Sequence, residues 1–272
     1  MKVPDIKLSN GNHVPVLGMG LWQSKDAEVF NKAFKLAIDA GYRHFDSAQV
    51  YDNEHLLGAA WKDCGIKREE LFIVTKIWLK NFVYSQVGKS FEKSLANLQT
   101  DYVDLLLLHF PVTGLRRKAW QALEEIYESG RAKNIGVSNY TVKHLKEMKK
   151  YAKITPQINQ VEMHVFLQQP DLVEYCRKEG IILEAYSPIA HAKDMTNETI
   201  QSIADKHGKT YAQIMIRWCI EQGFVVIPKS VTPKRIKENI AVFDFKLDKQ
   251  DIDSLKKLDR DFRTCWSPVH VP

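Results

Sequence analysis

An α/β barrel of the (β/α)8 (TIM barrel) type is the fold that the sequence predicts, on three observations. Short apolar runs and longer amphipathic ones alternate eight times after Met19, and 272 residues is close to what eight such units require. Several short runs, such as Leu105-Leu106-Leu107-Leu108 and Ile181-Ile182-Leu183, are apolar at consecutive positions. That places nonpolar side chains on both faces of a strand, as a parallel strand covered by helices needs. The rival is an open doubly wound sheet, which usually carries G-x-G-x-x-G after its first strand. Gly18 and Gly20 begin that pattern, but Gln23 occupies its last position, so the barrel is preferred.

In chain order, Asn10-Gly11 between Ile6-Lys7-Leu8 and Val14-Pro15-Val16 predicts a small N-terminal β-hairpin, because this dipeptide suits the positive φ angles of a tight turn. Gly18 to Trp22 reads as the first barrel strand. Between Asp26 and Ala40, apolar residues recur at Val29, Phe30, Ala33, Phe34, Ala37 and Ala40, which describes a helix with one buried face stopped at Gly41. Arg43-His44-Phe45 forms a strand ending at Asp46, and Asp52, Asn53 and Glu54 suit the start of the next helix. Strands follow at 71–76, 103–109, 132–138, 157–162, 181–186 and 224–229. Helices follow at 86–98, 119–128, 141–150, 171–178, 196–222 as a pair, and 233–241, with an extra C-terminal helix after them. Residues 1–272 read as one domain.

A hydrophobic content of 44% supports a large core, yet no apolar run is long enough to span a membrane. The start, Met1-Lys2-Val3-Pro4-Asp5, lacks the apolar segment of a signal peptide, and the chain reads as a soluble cytoplasmic protein. Cys64, Cys176, Cys219 and Cys265 lie far apart with no C-x-x-C pair, so neither a metal site nor a dithiol redox centre has a spacing to rest on. The formal charge of +6 is spread along helix faces such as Lys143, Lys146, Lys149 and Lys150. Solvated surface explains it better than nucleic-acid binding.

In a barrel, residues at the carboxyl ends of strands converge however distant they are in sequence. Asp46, Tyr51, Lys76 and His109 are the polar residues that follow or close apolar strands, and together they make a sensible acid. A phenol titrates near pH ~10, and burial raises that further, so it needs a neighbouring positive charge to work near neutrality. Lys76 can supply the charge, and Asp46 can keep the lysine protonated. His109 can orient a carbonyl oxygen by hydrogen bonding.

These four residues resemble, in type, order and context, the catalytic tetrad of the aldo-keto reductases. The likeness extends along the chain through G-Y-R-H-F-D-S-A-x-x-Y-x-N-E from Gly41, V-T-K from Val74, L-L-H-F-P from Leu107, G-V-S-N from Gly136, N-Q-V-E from Asn159, Y-S-P from Tyr186 and I-P-K-S from Ile227. With little sequence between Pro111 and Lys118, the chain looks most like the short-loop branch containing diketogluconate reductases and prostaglandin F synthases. The resemblance implies an NADPH-dependent enzyme that reduces aldehydes and ketones, with Tyr51 as general acid and NADPH/NADP+ as cofactor. It assigns Ser138, Asn139 and Gln160 to the nicotinamide carboxamide and Tyr186 to the nicotinamide ring. Ser187 and Ile189 fall to the pyrophosphate, Glu238 and Asn239 to the adenine, and Lys229, Ser230, Thr232 and Arg235 to the ribose 2′-phosphate. Trp22, Val50, Trp78, Phe110 and Trp266 become the substrate walls, with 264–268 folding over the mouth. Family members are often monomers, and the expected partner is a small carbonyl compound. Two rival readings are a cofactor-holding redox sensor and an aldolase forming a Schiff base on Lys76.

Overall fold

The structure, a computed structural model, describes residues 3–272. Strands β1 (Asp5–Lys7) and β2 (His13–Pro15) pair antiparallel with Ile6 opposite Val14, which is the expected hairpin. Its turn differs from the expected kind. Gly11 donates to the Leu8 carbonyl across Ser9 and Asn10, and only Gly11 has positive φ, at 91°. The Asn10 amide is used elsewhere: it donates to Asn134 Oδ1 at 2.8 Å and fastens the hairpin to the barrel.

Eight parallel strands follow: β3 (Met19–Gly20), β4 (His44–Asp46), β5 (Phe72–Ile77), β6 (Leu105–Leu108), β7 (Ile135–Ser138), β8 (Ile158–Glu162), β9 (Ile182–Tyr186) and β10 (Val225–Val226). Each pairs with its neighbour in sequence. Parallel bridges between Leu17 and Val226 and between Gly20 and Lys229 then join the last strand to the first, so the sheet closes. The helices are α1 (Ala27–Ala40), α2 (Glu54–Lys62), α3 (Tyr84–Leu98), α4 (Arg116–Glu128), α5 (Val142–Met148), α6 (Pro170–Glu179), α7 (Glu198–His207), α8 (Tyr211–Glu221), α9 (Pro233–Ile240) and the extra α10 (Lys249–Lys256).

Helix α1 begins where Asp26 accepts from the Val29 N–H at 2.9 Å and ends at Gly41, whose φ of 105° lets its N–H turn back to the Ala37 and Ile38 carbonyls. Its buried stripe is Phe30, Ala33, Phe34, Ala37 and Ile38. Val29 is exposed and Ala40 only half-buried, contrary to expectation, because the 3.6-residue period carries them off the stripe.

The strand period of two divides the core. Phe72, Val74, Leu105, Leu107, Ile158 and Val225 fill the barrel interior, and Leu8 and Val14 of the hairpin close it from below. Ile73, Leu106, Leu108 and Ile135 belong to the larger layer packed under the helices. Continuing the inward alternation toward the strand ends, Val74 is followed by Lys76, Leu107 by His109, Ile158 by Gln160, and Ile182 by Glu184. The interior thus passes from apolar at its base to charged at its top, and that gradient places the site. Among the described residues no helix is long and apolar enough to cross a membrane.

Candidate active site

Lys76 is fully buried, one residue before the end of β5 rather than at it. Its ammonium donates to Asp46 Oδ1 at 2.6 Å, to the Ser47 carbonyl at 2.9 Å and to the Tyr51 hydroxyl at 3.3 Å. Tyr51 stands on a 3-10 turn, Gln49–Tyr51, between β4 and α2. Two side chains brace that turn. Gln49 accepts from the Trp78 N–H and from Asn81, both at 2.9 Å. Asn53 does not cap α2 with its side chain; it donates to the Leu21 carbonyl at 2.8 Å and accepts from Ser47 at 2.7 Å. His109 meets Tyr51 and Trp78 edge to face, with ring centroids 5.7 and 5.1 Å away.

Burial and neighbouring charges act differently on the three groups. Burial pulls the Lys76 ammonium down, but Asp46 and then Tyr51 outweigh it, and its pKa is raised. Lys76 therefore stays charged. Burial, reinforced by Lys76, holds His109 well below the ordinary imidazole range, so it is neutral, and its Nδ1 is buried without a partner. Tyr51 departs from expectation. Burial raises the phenol, Lys76 lowers it and Asp46 raises it again, and the balance lies above the ordinary value. The ammonium moderates the effect of burial without overcoming it.

Above this floor opens a cavity of about 620 Å³. Asp46, Tyr51 and His109 reach it, whereas Lys76 does not line it. Trp22, Val50, Trp78, Phe110 and Trp266 all line it as expected, as do Thr264 and Cys265 of the tail. Trp266 is 73% exposed, so it forms the rim and not an inner wall. Ser138, Asn139, Gln160, Tyr186, Ser187, Ile189 and Lys229 line the same cavity. Ser138 donates to the Gln160 carbonyl at 2.9 Å, Asn139 to the His109 carbonyl at 3.0 Å, and Tyr186 to Asn139 Oδ1 at 2.8 Å.

Gln160 lies within β8, not after it, and its amide nitrogen reaches down to Asp46 Oδ2 at 2.8 Å and Glu184 Oε2 at 2.7 Å. Ser230, Thr232, Arg235, Glu238 and Asn239 do not line the cavity; they continue from Lys229 into α9. Ser230 accepts from the Thr232 N–H at 3.1 Å, Glu238 lies 3.7 Å from Lys234, Asn239 is buried and Arg235 is exposed. Burial lowers the Lys229 ammonium, and no acidic group among the described residues offsets it.

Sequence reasoning did not single out Gln49, Glu162, Glu184, His191 or the role of His44. Glu162 Oε1 accepts from the N–H and the hydroxyl of Thr264, each at 2.6 Å, and its Oε2 from the Cys265 N–H at 3.2 Å, which latches the tail over the mouth. His191 accompanies Ser187 at 2.8 Å on a left-handed turn. The usable signal for His44 and Glu184 was the inward parity of their strands, since each lies two residues from Asp46 or Tyr186.

A family model described as the aldo/keto reductase family matches residues 16–260. The glyoxal reductase of Bacillus subtilis is 42% identical over 97% of this chain and 95% of its own. The methylglyoxal reductase of Escherichia coli is also 42% identical, over 97% and 96%. A solved Bombyx mori aldo-keto reductase in complex with NADP superposes with a TM-score of 0.92 at 31% identity, over 97% of this chain and 95% of that one. The chain belongs to the aldo-keto reductase family and is an oxidoreductase.

Proposed function

We propose that this protein reduces small aldehydes and ketones, α-dicarbonyls among them, to alcohols with NADPH, and that Tyr51 is the proton donor. The observation that carries the reading is the Tyr51 hydroxyl at the cavity floor, 3.3 Å from a fully buried lysine whose charge is held by Asp46. The residues suit the cofactor. Ser138, Asn139 and Gln160 line the cavity beside Tyr186, and the half-buried Lys229, without an ion-pair partner among the described residues, suits a phosphate. NADPH bound there supplies the hydride. The neutral His109 donates to the substrate carbonyl oxygen and sets its orientation toward Tyr51. As negative charge grows on that oxygen, the Tyr51 proton crosses to it, and the Lys76 ammonium stabilises the phenolate left behind. Trp22, Trp78 and Phe110 shield a small bound carbonyl compound from water.

The aldolase reading finds no support, since Lys76 is wholly buried and ion-paired at 2.6 Å. The direct test is loss of NADPH absorbance on adding glyoxal, methylglyoxal or an aromatic aldehyde. Turnover is expected with all three. Tight cofactor binding without turnover would instead indicate the sensor reading.

A further inference from the structure

Beneath the tetrad lies a second layer of buried polar groups. Glu184 on β9 is fully buried, and its Oε2 accepts from the Gln160 amide, the same nitrogen that donates to Asp46. Its Oε1 lies 3.3 Å from His44 Nε2, yet each of these buried atoms is without a hydrogen bond among the described residues. The far ring nitrogen of His44, Nδ1, lies 3.3 Å from the Pro15 carbonyl oxygen. A carbonyl oxygen only accepts, so Nδ1 carries the hydrogen, and in a neutral ring Nε2 is left with a lone pair. Without a further proton, both buried atoms would stay unpaired. Gly18 leaves room for the ring there, since a Cβ at that position would lie 2.6 Å from the imidazole.

We propose that Glu184 is a positioning residue held as a neutral carboxylic acid, donating its proton from Oε1 to His44 Nε2 while Oε2 accepts from Gln160. Gln160 is thereby locked on Asp46, and Asp46 remains the single carboxylate charge opposite Lys76. The charges around Glu184 fit this state. His44 and Asp46 face it from β4, Lys76 from β5 and Gln160 from β8, while β10 offers only Val225 and Val226. Burial and then Asp46 push its carboxyl up to about 8, and burial pushes His44 down to about 4, so the neutral pair is favoured at neutral pH. If Glu184 ionised, a second negative charge would approach Asp46 and raise the phenol of Tyr51 further, making it a poorer acid. This last consequence rests on the carbonyl-reductase reading; the protonation state does not.

Glu184→Gln decides the matter, because its amide copies the protonated acid: N–H toward His44 and C=O toward Gln160. In the wild type, Glu184 ionises in the unfolded chain above pH ~4.3 but stays protonated in the folded protein until about 8, so stability is lost as pH rises through that window. The variant lacks this loss. Its Tm advantage over the wild type should therefore widen by several degrees between pH 5 and pH 8. The infrared carbonyl band of a protonated carboxylic acid should be present in the wild type at pH 7 and absent in the variant. Turnover of Glu184→Gln at pH 7 should stay within about twofold of wild type, while Glu184→Ala, which frees Gln160 and His44, should lose roughly tenfold to a hundredfold. A Tm difference independent of pH, or no such band in the wild type, overturns the proposal. A Gln variant as slow as the Ala variant overturns the positioning role. Failure of the wild type to turn over carbonyls would refute the enzymatic reading alone, since the Tm and infrared results stand without it.

Discussion

Tyr51 is a weak acid that burial makes weaker, yet its proposed task suits it. The oxygen it must protonate becomes an alkoxide as hydride arrives, and an alkoxide is a much stronger base than a phenolate, so transfer remains favourable from a raised pKa. The sign of the pH dependence follows. Reduction needs the protonated phenol and should be level through neutrality, falling only on the alkaline side of the ordinary phenol range. Oxidation of an alcohol needs the phenolate and should rise with pH over that range. A steady-state profile in both directions checks this, and a reduction rate that fell between pH 6 and 8 in proportion to proton concentration would count against Tyr51. Lys76→Met should lower turnover by at least about a hundredfold, because the phenolate then has no counter-charge. His109→Gln keeps a donor and should be milder than His109→Ala; equal losses across several substrates would remove the orienting role. At the cofactor's far end, Lys229 and Arg235 are proposed to hold the 2′-phosphate. Charge-assisted bonds contribute about 1.5–3 kcal/mol each, and rim exposure reduces that, so the double Ala variant should bind NADPH about a hundredfold more weakly. NADH binding, followed by tryptophan quenching, should barely change; equal weakening of both cofactors would dismiss the phosphate assignment.

Elements carry the next layer of control. The segment Thr264–Cys265 is held by three hydrogen bonds to Glu162 at the end of β8. Burial would raise that carboxyl, but His164 and Thr264 outweigh it and hold it below the usual range, so the latch persists through neutral pH. Glu162→Ala should speed amide hydrogen exchange in the tail and raise KM for larger carbonyls more than it lowers kcat; an unchanged exchange pattern would show that the tail is held elsewhere. The elements were legible in the sequence because eight short apolar runs between amphipathic ones leave few other folds. Finer features were not. Asn10-Gly11 serves equally in a two-residue turn and in one where only the glycine is left-handed, and the sequence reading chose the former. Glu184 was passed over because attention fell on strand ends, while the inward parity of Ile182, Glu184 and Tyr186 was already present in the sequence.

At the scale of the molecule, the barrel assembles a polar interior whose cost depends on pH. His44 and His109 are buried as neutral rings, with folded pKa values below that of the unfolded chain. Their contribution is present above pH ~6.5 and is lost as the pH falls toward 4, His44 alone accounting for about 3 kcal/mol. In the Glu184→Gln background, which lacks the opposing gain that protonated Glu184 gives over the same range, urea midpoints should therefore drop between pH 6.5 and 4, and adding His109→Gln should flatten part of that drop. A midpoint insensitive to pH there would mean that both rings accept protons in place. The sequence could group Asp46, Tyr51, Lys76 and His109 but not give the outcome of their meeting, since the pKa of Tyr51 depends on burial and on a 3.3 Å separation that only the closed barrel sets. That separation underlies the central claim, and one comparison tests it most directly: turnover of methylglyoxal with NADPH by wild type and Tyr51→Phe, with NADPH affinity measured on the same samples. Near-wild-type affinity with turnover reduced at least about a hundredfold is the expected result. Near-normal turnover by the Phe variant would contradict the assignment of Tyr51 as the proton donor.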